Sequence, residues 1–95
     1  MYYVYFLKSR KRDYIYIGST NDLKRRLKER NTGEVYATEK YFPFDLVYYE
    51  AYLNRKDALN REYKLKHHGS AIGHLKKRLK YSLREGEFAK RAGLK

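Results

Sequence analysis

The chain predicts a small α/β (α+β) domain, a three-stranded antiparallel sheet flanked by helices in the order β-β-α-β-α-α. Three observations carry this expectation. Two tyrosine-rich runs near the N-terminus, YYVYFL and YIYI, are separated by a polar connection and read as a hairpin. A third run of the same kind, LVYYEAY, follows a helical stretch. The other apolar residues recur at helical spacing, so helices must cover the sheet.

The elements follow in order. Tyr2 to Leu7 is the first strand, Lys8 to Asp13 a polar connection, and Tyr14 to Ile17 the second strand. Thr20-Asn21-Asp22 offers N-cap residues, and Leu23 and Leu27 begin an amphipathic helix that should end near Asn31-Thr32-Gly33. An irregular stretch from Glu34 to Asp45 holds the only proline, Pro43. Leu46 to Tyr52 is the third strand. Asn54, with Asp57 three residues on, caps a second helix running to about His67. Ser70 is expected to cap a third helix carrying Ile72, Leu75 and Leu79. Residues 1–83 thus form one domain, and 84–95 a basic tail read as a frayed helix or disordered.

Ninety-five residues suffice for one modest core. The net charge of +12 favours polyanions, and the cations are interleaved with tyrosines rather than gathered beside an apolar span. No apolar run reaches bilayer length and no signal-peptide pattern opens the chain, so nucleic acid is the expected partner, without membrane, in a cytoplasmic setting. The absence of cysteine excludes disulfides, thiolate metal sites and cysteine nucleophiles. His67, His68 and His74 lack a zinc spacing.

Three places break the amphipathic rule. Arg30 falls on the Leu23–Leu27 stripe of the first helix, with Arg26 at its edge. Either that helix borders a cleft, or the arginines reach past the rim of the core to water. Glu62 shares a helix face with Ala58 and Leu65, where a leucine would be expected. A carboxylate there needs a cationic partner such as Arg26, a metal ion, or a raised pKa. In the hairpin, a symmetric loop would place Tyr5 opposite Tyr16 and Gly18 opposite Tyr3, leaving room over Gly18 for a ligand or another backbone. Taken alone, the tyrosine pair reads as aromatic packing.

Two tyrosine runs, an arginine on the next helix and a glutamate on a later one resemble the GIY-YIG nuclease family. The first half of its signature stands here as Tyr3-Val4-Tyr5, and the second half, Tyr16-Ile17-Gly18, is intact. GSTNDLKRRLKERNTG is similar to the family's next motif, with Arg26 at the helix arginine. LVYYEAYLNRKDALNREYKLK is similar to its third strand and following helix, with Glu62 at the metal-binding glutamate. The resemblance spans roughly residues 2 to 80 and is strongest to small stand-alone members. The same module occurs in the bacterial excision-repair incision subunit and in phage homing endonucleases. Many relatives carry histidine where this chain has Arg30, which rules out a histidine base there.

The resemblance implies a metal-dependent endonuclease that hydrolyses DNA phosphodiester bonds, acting on branched or damaged DNA in repair or recombination. Glu62 would hold one Mg²⁺ or Mn²⁺, chiefly through waters. Arg26 would contact the phosphate, Tyr16 would act as general base, and Tyr5 would position the reactants. A free tyrosine titrates near pH 10, so base work requires cations close by, which Arg26, Arg30 and the metal would supply. Products would be a 3′-hydroxyl and a 5′-phosphate. Between Tyr63 and Arg84, Lys64, Lys66, Lys76, Lys77, Arg78, Lys80 and Arg84 occur without an acid. They read as a phosphate-tracking face or as a solvated basic surface. No residue here is expected to read bases, so specificity falls to DNA shape or to a protein partner. The alternative reading is a catalytically inactive nucleic-acid-binding module of the same fold.

Overall fold

The computed structural model describes residues 1–33, 35 and 38–83. Six elements appear in the expected order: β1 (Tyr2–Ser9), β2 (Ile15–Thr20), α1 (Leu23–Asn31), β3 (Phe44–Tyr52), α2 (Arg55–His67) and α3 (Gly69–Arg78). The strands make one antiparallel sheet in the order β2-β1-β3. The expected tail, 84–95, lies outside the described residues.

Central β1 feeds two cores, because alternate residues of a strand face opposite sides. Val4 and Phe6 point toward α2 and α3, packing with Ile17, Ala58, Leu65, Leu75 and Leu79. Tyr5 and Leu7 point the other way, packing with Phe44 and against Leu23 and Leu27 of α1. The run Val4–Leu7 is buried throughout, as a strand covered on both faces requires. Burying each large apolar side chain contributes about 1.5–3 kcal/mol. The sheet is therefore sandwiched, and β2 is left at an edge where groups from both sides can meet.

The hairpin register differs from the symmetric expectation. The Ser9 N–H donates to the Tyr14 carbonyl at 2.9 Å. The Ser9 hydroxyl accepts from the N–H groups of Lys11 and Arg12, each at 3.1 Å, and donates to the Tyr41 carbonyl. This closure pairs Tyr5 with Gly18 and Leu7 with Tyr16, two residues from the expected ladder. A shift of two leaves every side chain on its original face. Tyr5 and Tyr16 therefore still share a face, as diagonal neighbours with ring centroids 6.1 Å apart.

Helix ends follow local chemistry. Asp22 caps α1 by accepting from the Arg25 N–H at 3.0 Å, and Asn54 caps α2 by accepting from the Lys56 N–H at 2.8 Å. The chain leaves α1 through Gly33, whose φ of 75° suits glycine. Helix α3 departs from expectation. His68 ends α2 and begins α3 at once, so Ser70 sits inside the first turn and caps nothing.

An ion pair fastens α2 to the sheet. Arg61 donates to Glu50 of β3 through Nε at 3.0 Å and Nη2 at 3.1 Å, and the Tyr48 and Tyr52 hydroxyls donate to the same carboxylate. Burial pushes the Glu50 carboxyl up, but Arg61 and the two hydroxyls outweigh it and hold the pKa below its ordinary value. Burial, with the neighbouring carboxylate, pushes the Tyr52 hydroxyl up to about 12. With its middle tied down in this way, α2 presents its other flank to the edge of β2.

Candidate functional site

Tyr16 stands on the α1 side of β2. Arg30 of α1 donates through Nη2 to its hydroxyl at 2.9 Å, with the guanidinium carbon 4.3 Å from the ring centroid. Arg30 is only 5% exposed and also donates through Nη1 to Thr38 Oγ1 at 3.1 Å. Burying a guanidinium without partners is costly, and these two groups offset part of that cost while Arg30 Nε finds no partner among the described residues. Arg30 lies behind Tyr16 rather than in an open cleft. It is placed to orient that ring through the hydroxyl that accepts from it.

Tyr5 is 2% exposed, and its hydroxyl has no hydrogen-bond partner among the described residues. Burial raises its pKa, and the nearby Arg30 and Arg26 charges offset part of that rise. Gly18 is the reason the ring fits. A Cβ at Gly18 would stand 2.6 Å from Tyr5 Cζ and 3.0 Å from Tyr16 Cε2. The expected room over Gly18 is thus filled by the chain's own tyrosine, and Gly18 offers no surface for nucleic acid.

From the other side of the edge comes Glu62 of α2. It accepts from Ser19 Oγ at 2.8 Å and from Lys66 Nζ at 2.9 Å. Its side chain is 19% exposed. Lys66 Nζ also lies 5.4 Å from the centroid of the Tyr16 ring, so it bridges the carboxylate and the tyrosine. Burial works against the Lys66 charge, but Glu62 outweighs it and holds the ammonium pKa above its ordinary value. The partner of Glu62 is therefore Lys66, not Arg26. Arg26 instead lies 3.2 Å from Glu29 Oε1 and lines a neighbouring cavity together with Ser19.

The structure thus gathers Tyr5, Tyr16, Arg30, Glu62 and Lys66 at one edge, with Arg26 beside them. It does not gather the basic residues. Lys64, Lys76, Lys77 and Lys80 are exposed on α2, α3 and the turn beyond, while Arg78 lies within electrostatic reach of Tyr48 on β3, the opposite edge strand. Lys66 leaves this set for the site itself, and Arg84 lies outside the described residues. Ser19 and Thr38 escape sequence reasoning, since each acts through a contact across the fold. Lys66 left one signal, the four-residue spacing from Glu62 that pairs side chains along a helix.

The profile of the GIY-YIG catalytic domain matches residues 1–78. The chain belongs to the GIY-YIG family. A UPF0213 protein of Clostridium perfringens is 42% identical over 67 residues, covering 70% of this chain and 71% of that one. A UPF0213 protein of Oceanobacillus iheyensis is 35% identical over 66 residues, covering 68% and 76% respectively. The solution NMR structure of a UPF0213 protein from Bacillus halodurans is 31% identical, with a TM-score of 0.47 over 96% of this chain and 94% of that one. Membership makes this a nuclease-family domain.

GIY-YIG nucleases generally use a divalent ion. The residues here fit one. Glu62 offers a partly exposed carboxylate, a hard-oxygen donor whose one oxygen faces the Lys66 ammonium and the other the Ser19 hydroxyl. Among the described residues no cluster of three or more acidic, histidine or cysteine side chains could cage a metal. A single carboxylate completed by water and phosphate is an arrangement Mg²⁺ accepts.

Proposed function

We propose that this GIY-YIG domain is a metal-dependent endonuclease that hydrolyses DNA phosphodiester bonds, acting on branched or damaged DNA. One observation supports it above the rest. A carboxylate, an ammonium and a tyrosine ring meet at the β2 edge, Lys66 lying 2.9 Å from Glu62 and 5.4 Å from the centroid of the Tyr16 ring. Glu62 would hold Mg²⁺ or Mn²⁺, which when bound supplies positive charge against the phosphate oxygens. Lys66 moves from the carboxylate to the phosphate as substrate enters, and Arg26 offsets the phosphate's growing charge. Tyr16, acting as the phenolate with its ring held by Arg30, would accept the proton of the attacking water, and the departing 3′-oxygen would take its proton from solvent. Tyr5 packs behind it. The exposed lysines of α2 and α3 add sequence-independent attraction that weakens with salt.

A second reading is favoured by the Lys66–Glu62 contact, which leaves the carboxylate already neutralised. The domain would then bind nucleic acid without turnover. Incubation with supercoiled plasmid and with branched DNA, with and without Mg²⁺ or Mn²⁺, separates the two. Metal-dependent nicking supports the nuclease. Salt-sensitive binding with intact DNA supports the binding module.

A further inference from the structure

Next to the Glu62 edge lies a half-open cavity of about 240 Å³ that the chemistry above leaves unused apart from Arg26. Arg25 and Arg26 enter it from the first turn of α1, and Arg55 from the first turn of α2, with Thr20 and Asn21 between. No carboxylate lines it. Three arginines line the one cavity, and each helix start adds partial positive charge there. Their neutralisation is incomplete. Arg25 and Arg26 share one carboxylate, Glu29, at 4.0 Å and 3.2 Å, Arg26 Nε makes no hydrogen bond to it, and Arg55 has no ion pair among the described residues. One wall is apolar, formed by Ala58 and the partly exposed Leu59.

We infer that this cavity is a subsite for the terminal phosphomonoester of a nucleic-acid strand. The inference rests on the nuclease reading only for where that strand runs. A phosphomonoester carries about −1.5 to −2 charges and three acceptor oxygens, which suits three guanidinium groups better than a singly charged diester does. The volume falls below the roughly 300 Å³ at which small-molecule pockets begin, so it takes a phosphate and its sugar rather than a whole nucleotide. Distance places it in the same strand. Ala58 and Glu62 are one helical turn apart on α2, about 6 Å at 1.5 Å per residue. Successive phosphates of a strand advance about 3.4 Å along the duplex axis. The terminal phosphate therefore sits one or two nucleotides from the bond held at Glu62, and the domain cuts close to phosphorylated strand ends, nicks or flaps.

The test uses an oligonucleotide duplex whose nick carries a 5′-phosphate, a 3′-phosphate, or hydroxyls on both sides. Binding is measured without metal to the Glu62→Gln chain, so that cleavage plays no part. The expected result is at least tenfold tighter binding of one phosphorylated form, with inorganic phosphate competing. Arg55→Gln and Arg25→Gln, both at exposed positions, should each remove that preference. Equal affinity for all three forms overturns the subsite. If the end preference holds but wild type with Mg²⁺ or Mn²⁺ never nicks, the nuclease reading fails and the subsite stands.

Discussion

Arg30 donates to the Tyr16 hydroxyl at 2.9 Å while its guanidinium carbon lies 4.3 Å from the centre of the same ring. One cation thus restrains the tyrosine in both position and tilt, from a site that solvent barely reaches. The chemistry proposed for Tyr16 therefore rests on a residue that is 5% exposed.

Tyr16→Phe removes the acceptor for one Arg30 nitrogen, leaving that buried group short of a partner. The expected cost is about 1–3 kcal/mol in denaturant unfolding. Cleavage is expected to fall by roughly tenfold to ten-thousandfold in single-turnover assays at a denaturant-free, fully folded concentration. Wild-type rates from the folded variant would demote Tyr16 to packing.

Glu62→Gln separates chemistry from stability. Its partner Lys66 is 38% exposed and returns to water when released, so the pair is worth about 0–1 kcal/mol. The amide still accepts from Ser19. The melting temperature should therefore stay near that of wild type, DNA binding should hold or tighten, and nicking should vanish. A variant that nicks normally would dismiss the metal-ligand role.

Gly18→Ala tests the packing that holds both tyrosines. The added methyl meets the Tyr5 ring at 2.6 Å, and Tyr5 is enclosed on all sides. Overpacking of this kind costs about 1–3 kcal/mol. The nearest obstacle is the Tyr5 hydroxyl. Combining Gly18→Ala with Tyr5→Phe should therefore cost less than the sum of the two single changes. Strict additivity in a double-mutant cycle would contradict the contact.

The Glu50 cluster sets two pH limits. Glu50 has its folded pKa below the unfolded value, so its contribution is present above about pH 4.3 and is lost as pH falls through the lower folded value. Tyr52 has its folded pKa raised, so its contribution is full below about pH 10 and is lost as pH rises toward about 12. Unfolding followed from pH 2 to 12 should show a plateau between these limits. Glu50→Gln should remove its share of both slopes, and unchanged slopes would remove the cluster from the account.

Much of the architecture is legible in residue order because it rests on local signals. Asp22 and Asn54 act as the caps their types suggest, and the alternation in Tyr2–Leu7 divides the two cores. Glu62 and Arg30 stand out because each breaks a helical face. Their partners are less legible. The hairpin register depends on Ser9 reaching Tyr41, 32 residues away, and Arg30 depends on Thr38 in a segment without periodicity. The arginine cavity forms only where the starts of two helices converge, which no spacing along the chain encodes.

Ser19 and Glu62 touch although 43 residues separate them, and the whole of β3 is threaded between. Contacts of such sequence separation form only after a long loop has closed. A chain still emerging from the ribosome holds its tyrosines early but has no carboxylate to set beside them until α2 is made and docked. A fragment clipped before α2 is in the same condition. On the proposed nuclease reading, synthesis, folding and degradation pass through intermediates that lack Glu62 beside the tyrosines and cannot cut.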